Sequence, residues 1–522
     1  MVIGYTATGV APFLAETNPV TFGQQPYVPN SPLQTSEPIS GAKGKNIFQV
    51  MGNLRYAILL LSTRISVIAH KICLSPYHPS PDGFGVDEYP LPVGANITQM
   101  HMIHRHGSRY PSSSESVISF GASIANSTAH GNKFTGELAF LNNWSYGLGA
   151  EVLVPLGRQE LYDSGVLNYY NYGKLYTSGT KIVARTTTED RMLKSAENFL
   201  AGFFGLDWTE NANLLPIIEG LGYNNSLIGL YSCNRGLETE ATASATAIGT
   251  WMSTYLAERT KVFQKLAGNY KWTVADTYSA QNLCPYETIS YGYSEFCDLF
   301  TYQEWEGFEY LLDIEFQALS GFSNPTGRAQ GIAWVQEFLA RVQGHVLDIP
   351  AGSTNANITL DTNPVTFPVN QSLYLDFAHD ASIVATLTAF GFTQFRQTLP
   401  ATGPPANQQF YASNVVPFAG RTNIEIIKAP HKLSTKRYSG SQSSYVAGTG
   451  ETYYIHFLQN QRTLPLHSSF NACEYRDDGW CELNTFLEVQ KSSLADAEFE
   501  YACNGNWTTT AYGTVTNGVP TH

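Results

Sequence analysis

The sequence predicts an α/β fold, because three separate apolar runs each end in residues able to bind or process an anion. Residues 100–105 lead into Arg-His-Gly-Ser-Arg, and Pro111 then prevents an ordinary helix start. Residues 181–185 end in an arginine before a helix-like stretch, and residues 372–378 alternate like a strand before His379. Since ligands bind outside the carboxyl ends of strands in open α/β sheets, these three ends are expected to meet in one site.

The first of these loops has the composition of a phosphate site. Arg105 and Arg109 flank His106, and guanidinium groups pair with phosphate oxygens through two hydrogen bonds at once. Gly107 lets the backbone approach the anion, and a histidine so placed can attack phosphorus. The alternative interpretation of these residues alone is a basic loop in which the histidine occurs by chance.

The second loop predicts a strand end followed at once by a helix. Thr186 and Glu189 fit a capping box that closes the first turn of that helix. This interpretation places Arg185 just before a helix N-terminus, where anions are favoured. From the residues alone, an ordinary surface arginine remains the alternative for both Arg185 and Arg191.

The three loops together resemble those of the histidine acid phosphatases, in particular the fungal acid phosphatases and phytases of the phosphoglycerate-mutase-like superfamily. Residues 105–111 match the R-H-G-x-R-x-P signature, and residues 377–380 match the Phe-Ala-His-Asp of the third motif. Arg185 and Arg191 match the Arg-x5-Arg pattern of the second. The resemblance implies a three-layer α/β/α domain with an inserted, mostly helical domain.

The resemblance also divides the chain. Residues 75–206 and 346–522 are expected to form the α/β catalytic domain from two halves of the chain. Residues 207–345 are expected to form the helical domain, and the stretches 238–267 and 301–340 within it have helical character.

Each site residue receives a role from the resemblance. His106 is expected to form a phosphohistidine, and Asp380 to protonate the leaving group and later to help activate water. Arg191 is expected to brace the structure. The phosphate is expected to be held by four residues, namely Arg105, Arg109, Arg185 and His379. No cofactor and no metal ion are expected, because three guanidinium groups supply the positive charge that Mg²⁺ supplies elsewhere.

An acid pH optimum is also expected from this set of residues. The nucleophile His106 must be neutral, and the neighbouring arginines lower its pKa below the usual value of about 6.5. Asp380 must hold a proton, which the negative charge of a bound phosphate favours. Moderate acid meets both requirements.

The composition limits the partners. The net charge is −13, which argues against nucleic acid as a partner but not against a small phosphorylated substrate, because a local basic pocket can lie in an acidic protein. No partner protein is implied.

The N-terminal part of the chain contains two segments that do not fit the rest. Residues 1–46 are rich in Pro, Thr, Asn and Gly and predict an extended arm. Residues 55–74 have the ~20-residue length of a membrane helix, but Arg64 and Lys71 interrupt them, so membrane association is not expected. The flanks of this segment look nearly continuous in fungal relatives, so a retained intron or a non-native insertion is predicted. A real surface excursion or a membrane anchor is the alternative.

Cysteines and glycosylation sequons predict a secreted or cell-wall-associated protein, although no cleavable signal is evident at the start. Seven Asn-x-Ser/Thr sequons occur, at Asn96, Asn126, Asn143, Asn224, Asn357, Asn370 and Asn506. Of the seven cysteines, Cys73 falls in the inserted segment. For the other six, the resemblance suggests the disulfides Cys233–Cys503, Cys284–Cys297 and Cys473–Cys481.

The resemblance implies a metal-independent acid phosphatase that hydrolyses phosphate monoesters, with phytate among the candidate substrates. Three other functions remain open. A mutase of the same superfamily would keep the first loop, but the residue after its second histidine would not be an acid such as Asp380. A phytate-specialised phytase would carry lysines after the first loop, yet residues 112–132 contain no Lys or Arg. A non-catalytic glycoprotein that retained the fold is the third alternative.

Overall fold

The computed structural model describes residues 76–80, 83–236, 244–350, 352–437 and 447–522. The predicted arm at residues 1–46, the apolar segment at residues 55–74 and Cys73 lie outside the described residues. Their interpretation therefore stays a prediction.

One mixed sheet organises the described part of the chain. Its strands are Asn96–Arg105 (β1), Ile182–Thr187 (β2), Ala212–Ile217 (β3), Leu373–Ala378 (β4), Arg421–Ala429 (β5), Thr452–Gln459 (β6), Arg462–Leu464 (β7) and Cys481–Glu482 (β8). Their order is β3-β2-β4-β1-β5-β6-β7, and β8 pairs with β6. The strands from β3 to β1 are parallel, whereas β5 runs antiparallel to β1. The carboxyl ends of β1, β2 and β4 therefore lie at the same edge of the sheet, as the sequence predicts.

Helices cover both faces of this sheet. The longer helices are Ser116–Ala129 (α1), Pro155–Tyr172 (α2), Asp190–Phe204 (α3), Ala245–Tyr255 (α4), Ala257–Leu266 (α5), Val274–Tyr291 (α6), Tyr302–Leu319 (α7), Gly327–Gln343 (α8), Asp380–Phe390 (α9) and Leu483–Gln490 (α10). Short α-helical turns occupy Gly229–Ser232, Ile358–Asp361, Ala412–Val415, Ser493–Asp496 and Phe499–Asn504. Turns of 3₁₀ type occupy Gly136–Asn142, Gly173–Leu175, Trp208–Glu210, Glu295–Leu299, Thr393–Phe395 and Leu466–Ser468.

Alternation along β1 shows how the three layers form. Met100 and Met102 belong to a core that includes Phe199 of α3, whereas Ile103 belongs to a second core that includes Ile383 of α9. Successive strand residues point to opposite faces, so a strand buried on both faces must be apolar on both. This arrangement confirms the predicted α/β/α fold.

The stretch between β3 and β4 is mostly helical and contains α4 to α8, as expected for a helical domain. β3 itself lies within the residues 207–345 that the sequence assigned to that domain, but it is a strand of the sheet. The exact domain limits stay a prediction.

Three disulfides form, and they are the three pairs expected from the resemblance: Cys233–Cys503, Cys284–Cys297 and Cys473–Cys481. Six of the seven sequon asparagines are exposed; Asn357 is half-buried, and its side chain accepts a hydrogen bond from the Leu360 N–H. Among the described residues, we find no helix with the length and apolar character needed to cross a membrane.

Candidate active site

The centre of the site is His106, the first residue after β1. Its side chain is buried, and its Nδ1 lies 2.9 Å from the Gly107 carbonyl oxygen. Because a carbonyl only accepts, Nδ1 carries the proton and Nε2 is the nitrogen with a lone pair. Burial lowers the pKa of His106 well below its usual value, and Arg105, Arg191 and Arg109 lower it further. The His106 imidazole is therefore neutral even in acid, with the Nε2 lone pair available for reaction.

The loop that carries His106 is held by close backbone packing against α2. A Cβ added to Gly107 would lie 2.2 Å from the Gly157 carbonyl oxygen, and one added to Gly157 would lie 2.0 Å from the Ser108 carbonyl oxygen. Glycine is thus required on both sides of this contact. Beside it, the Ala419 N–H donates to the His106 carbonyl at 2.8 Å.

A buried carboxylate, Glu160 of α2, ties down the next residue of the loop. It accepts hydrogen bonds from the Ser108 N–H at 2.7 Å and the Ser108 hydroxyl at 3.0 Å. It also accepts one from the Tyr77 N–H at 2.9 Å. Burial raises the pKa of Glu160 to about 7, although these hydrogen bonds oppose the rise. Nothing local in the sequence indicates this role.

Arg105 and Asp380 form the next part of the site. An Arg105 terminal nitrogen lies 2.7 Å from an Asp380 carboxylate oxygen, and the guanidinium carbon lies 4.4 Å from the centre of the Phe418 ring. Arg105 also donates to the Val416 carbonyl. Burial alone would raise the pKa of Asp380, but Arg105, with His379 and the Ala381 N–H, outweighs burial and lowers it. The structure therefore brings the predicted acid into direct contact with a predicted phosphate ligand.

Arg109 is held by its own carboxylate. Its Nη1 lies 3.3 Å from Glu115, and the same Glu115 oxygen accepts a hydrogen bond from the Tyr286 hydroxyl at 2.8 Å. Burial lowers the pKa of Arg109, but Tyr286, Glu115 and Asp380 outweigh burial and raise it. Arg109 is therefore a permanent cation beside His106.

His379 stands opposite His106, with the ring centres 5.7 Å apart. Its Nε2 lies 2.9 Å from a carboxylate oxygen of Glu219, which is buried two residues beyond β3. Burial would raise the pKa of Glu219, but the adjacent His379 imidazole outweighs burial and lowers it. Sequence reasoning missed Glu219 because it did not recognise β3.

Arg191 also belongs to this site. It is the second residue of α3, it contributes to the low pKa of His106, and it pairs with Glu151 at 2.8 Å and with Glu189. The sequence predicts only a bracing role for this arginine.

Arg185, by contrast, is not brought to the site. It pairs in register with Asp376 of β4, and its guanidinium binds Asp376 at 2.7 Å and Glu337 at 2.6 Å. An Asp361 carboxylate oxygen lies 3.7 Å from Nη1 of Arg185. Nη1 of Arg341 lies 2.8 Å from the Asp376 oxygen that Arg185 also contacts. The Arg185 side chain is 2% exposed and enclosed by carboxylates, which leaves it no room to bind a substrate phosphate.

Arg191, and not Arg185, lies in the pocket because the helix does not begin at the predicted capping box. β2 continues through Thr187, and α3 begins at Asp190 with Glu189 as its N-cap and without a side-chain capping hydrogen bond. The predicted helix start is therefore wrong by about one turn. β-Branched Thr186 and Thr187 fit a strand, so Arg185 lies inside β2 and Arg191 takes the place next to the helix N-terminus.

In the described part of the pocket, each arginine and His379 contact a carboxylate: Asp380 contacts Arg105, Glu115 contacts Arg109, Glu151 and Glu189 contact Arg191, and Glu219 contacts His379. Glu189, Glu219 and His379 also bring three possible metal ligands within 4.8 Å of one another. The Arg191 guanidinium pairs with the same Glu189, so a metal ion placed there would meet a like charge.

The chain is similar to known proteins in sequence and in fold. The family model described as histidine phosphatase superfamily (branch 2) matches residues 96–460. Phytase A from Aspergillus terreus is 30% identical over 443 residues, which cover 81% of this chain and 87% of the relative. A thiamine-repressible acid phosphatase from Schizosaccharomyces pombe is 28% identical over 446 residues, with coverages of 80% and 86%. Among solved structures, the phytase from D. castellii has the same fold, with a TM-score of 0.64, 19% identity, and coverage of 88% of this chain and 93% of its own.

Proposed function

This chain belongs to branch 2 of the histidine phosphatase superfamily, and on that basis we propose that it hydrolyses phosphate monoesters through a phosphohistidine at His106. One observation supports the proposal most. His106 is buried with Nδ1 committed to Gly107, so Nε2 is left to attack, among Arg105, Arg109 and Arg191.

The reaction proceeds in two displacements. Nε2 of His106 attacks phosphorus in line, the bond from phosphorus to the ester oxygen breaks, and Asp380 gives its proton to that oxygen. Water then attacks the phosphohistidine, Asp380 takes a proton from the water, and phosphate leaves with His106 neutral again. Arg105, Arg109 and Arg191 stabilise the charge on the phosphoryl oxygens, and His379 donates a further hydrogen bond.

Asp380 must be protonated for the first displacement, and its contact with Arg105 makes this harder in the free enzyme. A bound phosphate turns Arg105 towards its own negative charge, which raises the proton affinity of Asp380. The lowered pKa of His106 keeps the nucleophile neutral in the same acid range. The enzyme thus works in moderate acid, as an acid phosphatase without a metal ion or cofactor.

Asp380→Asn tests this role through the leaving group. We expect the substitution to slow sugar-alcohol phosphates by about 100-fold or more, and p-nitrophenyl phosphate by less than about tenfold. The activated aryl oxygen leaves without a proton, whereas an alkoxide does not. The measurement is kcat for both esters at one acid pH. An equal loss on the two would assign Asp380 a structural role.

The substrates are small phosphorylated molecules, and phytate is one candidate because curated relatives are named phytases. α1 and its flanks, residues 112–132, offer no Lys or Arg to receive additional phosphates. We therefore propose a broad phosphomonoesterase in preference to a phytate specialist. The disulfides and the exposed sequons support a secreted location, including the cell wall.

A substrate panel tests both the reaction and its breadth. Inorganic phosphate should be released from p-nitrophenyl phosphate, sugar phosphates and phytate near pH 3 and 5, with kcat/KM for phytate no greater than for the simple esters. A specificity constant for phytate far above the others would contradict the proposed breadth. Transfer of phosphate within one molecule without its release would instead identify a mutase.

A further inference from the structure

In this structure, the two terminal nitrogens of Arg191 are occupied by carboxylates. Nη1 lies 2.8 Å from Glu151, and Nη2 pairs with Glu189. The third nitrogen, Nε, is buried and has no hydrogen-bond partner among the described residues. A guanidinium holds a phosphate most strongly through two parallel hydrogen bonds, so a phosphate that uses Nη1 or Nη2 in such a pair competes with the carboxylate already there.

Glu151 is firmly anchored. One of its carboxylate oxygens accepts hydrogen bonds from the Ser113 N–H at 2.7 Å and from the Ser113 hydroxyl at 3.0 Å, and the other faces Arg191. Burial would raise the pKa of Glu151, but the Ser113 hydrogen bonds and Arg191 outweigh burial and lower it. Glu151 therefore stays ionised and in place.

Glu189 is held much more weakly. Its one ion pair within the described residues is the contact with Arg191, whereas Glu151 also accepts the two Ser113 hydrogen bonds. The charged and titratable groups around it are Arg191 on α3, Glu219 after β3, His379 after β4 and Glu151 before α2. Two of these four groups are carboxylates, and a carboxylate oxygen of Glu219 lies within 4.8 Å of one on Glu189.

We propose that Glu189 competes with the substrate phosphate for Arg191, and that protonation of Glu189 admits the phosphate. This inference rests on the proposed function, since it assigns Arg191 to the bound phosphate. A neutral Glu189 no longer holds the guanidinium through charge and no longer repels the incoming dianion. The proton comes from solvent, and no covalent step is involved.

The direction of the pH dependence follows from the surroundings of Glu189. Burial raises its pKa and the Glu219 carboxylate raises it further, while Arg191 and His379 oppose the rise. As the pH falls through this raised pKa, Glu189 becomes neutral and phosphate binding strengthens. As the pH rises, Glu189 ionises, reoccupies Arg191 and weakens binding. Glu189 thereby limits substrate binding on the neutral side.

Glu189→Gln tests the proposal, with Glu197→Gln as the matched control. Glu197 lies on the same helix and pairs with Lys194, outside the pocket. Calorimetric titration with inorganic phosphate at pH 4.5 and 6.5 gives Kd for the parent and both variants. We expect Glu189→Gln to bind phosphate about tenfold more tightly than the parent at pH 6.5, and similarly to the parent at pH 4.5, which corresponds to roughly one charge-assisted hydrogen bond. Glu197→Gln should follow the parent at both pH values.

Steady-state kinetics give a second readout. KM for p-nitrophenyl phosphate in Glu189→Gln should rise less steeply with pH than in the parent. If the Kd of Glu189→Gln for inorganic phosphate changes with pH as it does in the parent, the proposed competition is wrong. Weaker binding by Glu189→Gln at both pH values would also overturn it, because Glu189 would then hold Arg191 in position for phosphate.

Failure of the proposed function and failure of the Glu189 proposal give different results. If the parent itself releases no phosphate from the ester at any pH, the proposed function fails, whatever the calorimetry shows. If the parent turns over and Glu189→Gln has an unchanged pH dependence, only the role of Glu189 is lost.

Discussion

His106→Ala is expected to lower kcat for p-nitrophenyl phosphate by about 10⁴-fold or more, the size of effect seen when a nucleophile is removed from an enzyme. The reason is that no other side chain in the described part of the pocket combines a lone pair with the position of His106. Burial and the neighbouring arginines keep this imidazole neutral in acid, so it is ready to attack. The measurement is kcat across the acid range.

His130→Ala is the control for this change. His130 is an exposed histidine at the end of α1, where its ring hydrogen-bonds to the Asn126 carbonyl, and its replacement should leave kcat unchanged. The thermal stability of both variants should be compared with that of the parent, since His106 is buried. If His106→Ala keeps more than about a tenth of the parent rate while folded, His106 is not the nucleophile.

Arg185 and Arg191 should respond to the same substitution in opposite ways. Arg185→Met removes one of two cations from a buried cluster of carboxylates and leaves Arg341, which pairs with Asp376, as the remaining cation, so Glu337 loses its ion pair. Removing one partner of a buried ion pair costs about 3–5 kcal/mol, so the free energy of unfolding should fall by that amount. Denaturant unfolding at constant pH measures it.

Arg191→Met should instead change the stability by less than about 1 kcal/mol and lower kcat/KM by roughly 10²–10³-fold, as loss of one charge-stabilising donor does. Each arginine thus serves as the control for the other. If Arg185→Met remained as stable as the parent but lost its affinity for phosphate, Arg185 would be a phosphate ligand. The structural role assigned to Arg185 would then be wrong.

The ends of β1 and β4 were predictable from sequence because chemistry and pattern agree there. In β1 the apolar run stops at Arg105, and in β4 it stops before His379, and each strand does end within one residue of that point. A buried strand is mostly apolar on both faces, and a charge within it, such as Asp376, needs a buried partner, so a run of several polar residues marks its end.

The second loop could not be read correctly because two local rules conflict there. Thr186 and Glu189 satisfy the spacing of a capping box, yet β-branched Thr186 and Thr187 equally satisfy a strand. Contacts between residues distant in the chain favour the strand. Arg185 needs the carboxylates of Asp376 and Glu337, which lie 191 and 152 residues away in the chain, and no local pattern reveals them.

The carboxylates around the pocket were missed for a related reason. Glu115, Glu151 and Glu219 carry no motif, and Glu189 was assigned to a capping box. Each gains its role from an arginine or histidine that folding brings beside it. Glu219 alone had a usable signal, because it follows a short apolar run at residues 214–218 that resembles a strand end. The arginines could be singled out because guanidinium groups are known to bind phosphate. The carboxylates that hold those arginines follow no sequence pattern of this kind.

Trapping the covalent intermediate tests the central claim, nucleophilic attack by His106, most directly. The parent enzyme is mixed with a ³²P-labelled monoester in acid, quenched within milliseconds in alkali and digested, and the labelled peptide is identified. We predict an acid-labile, alkali-stable label on the peptide that contains His106, and its absence in His106→Ala. A label on another residue, or normal turnover with no label at any quench time, would contradict covalent catalysis at His106.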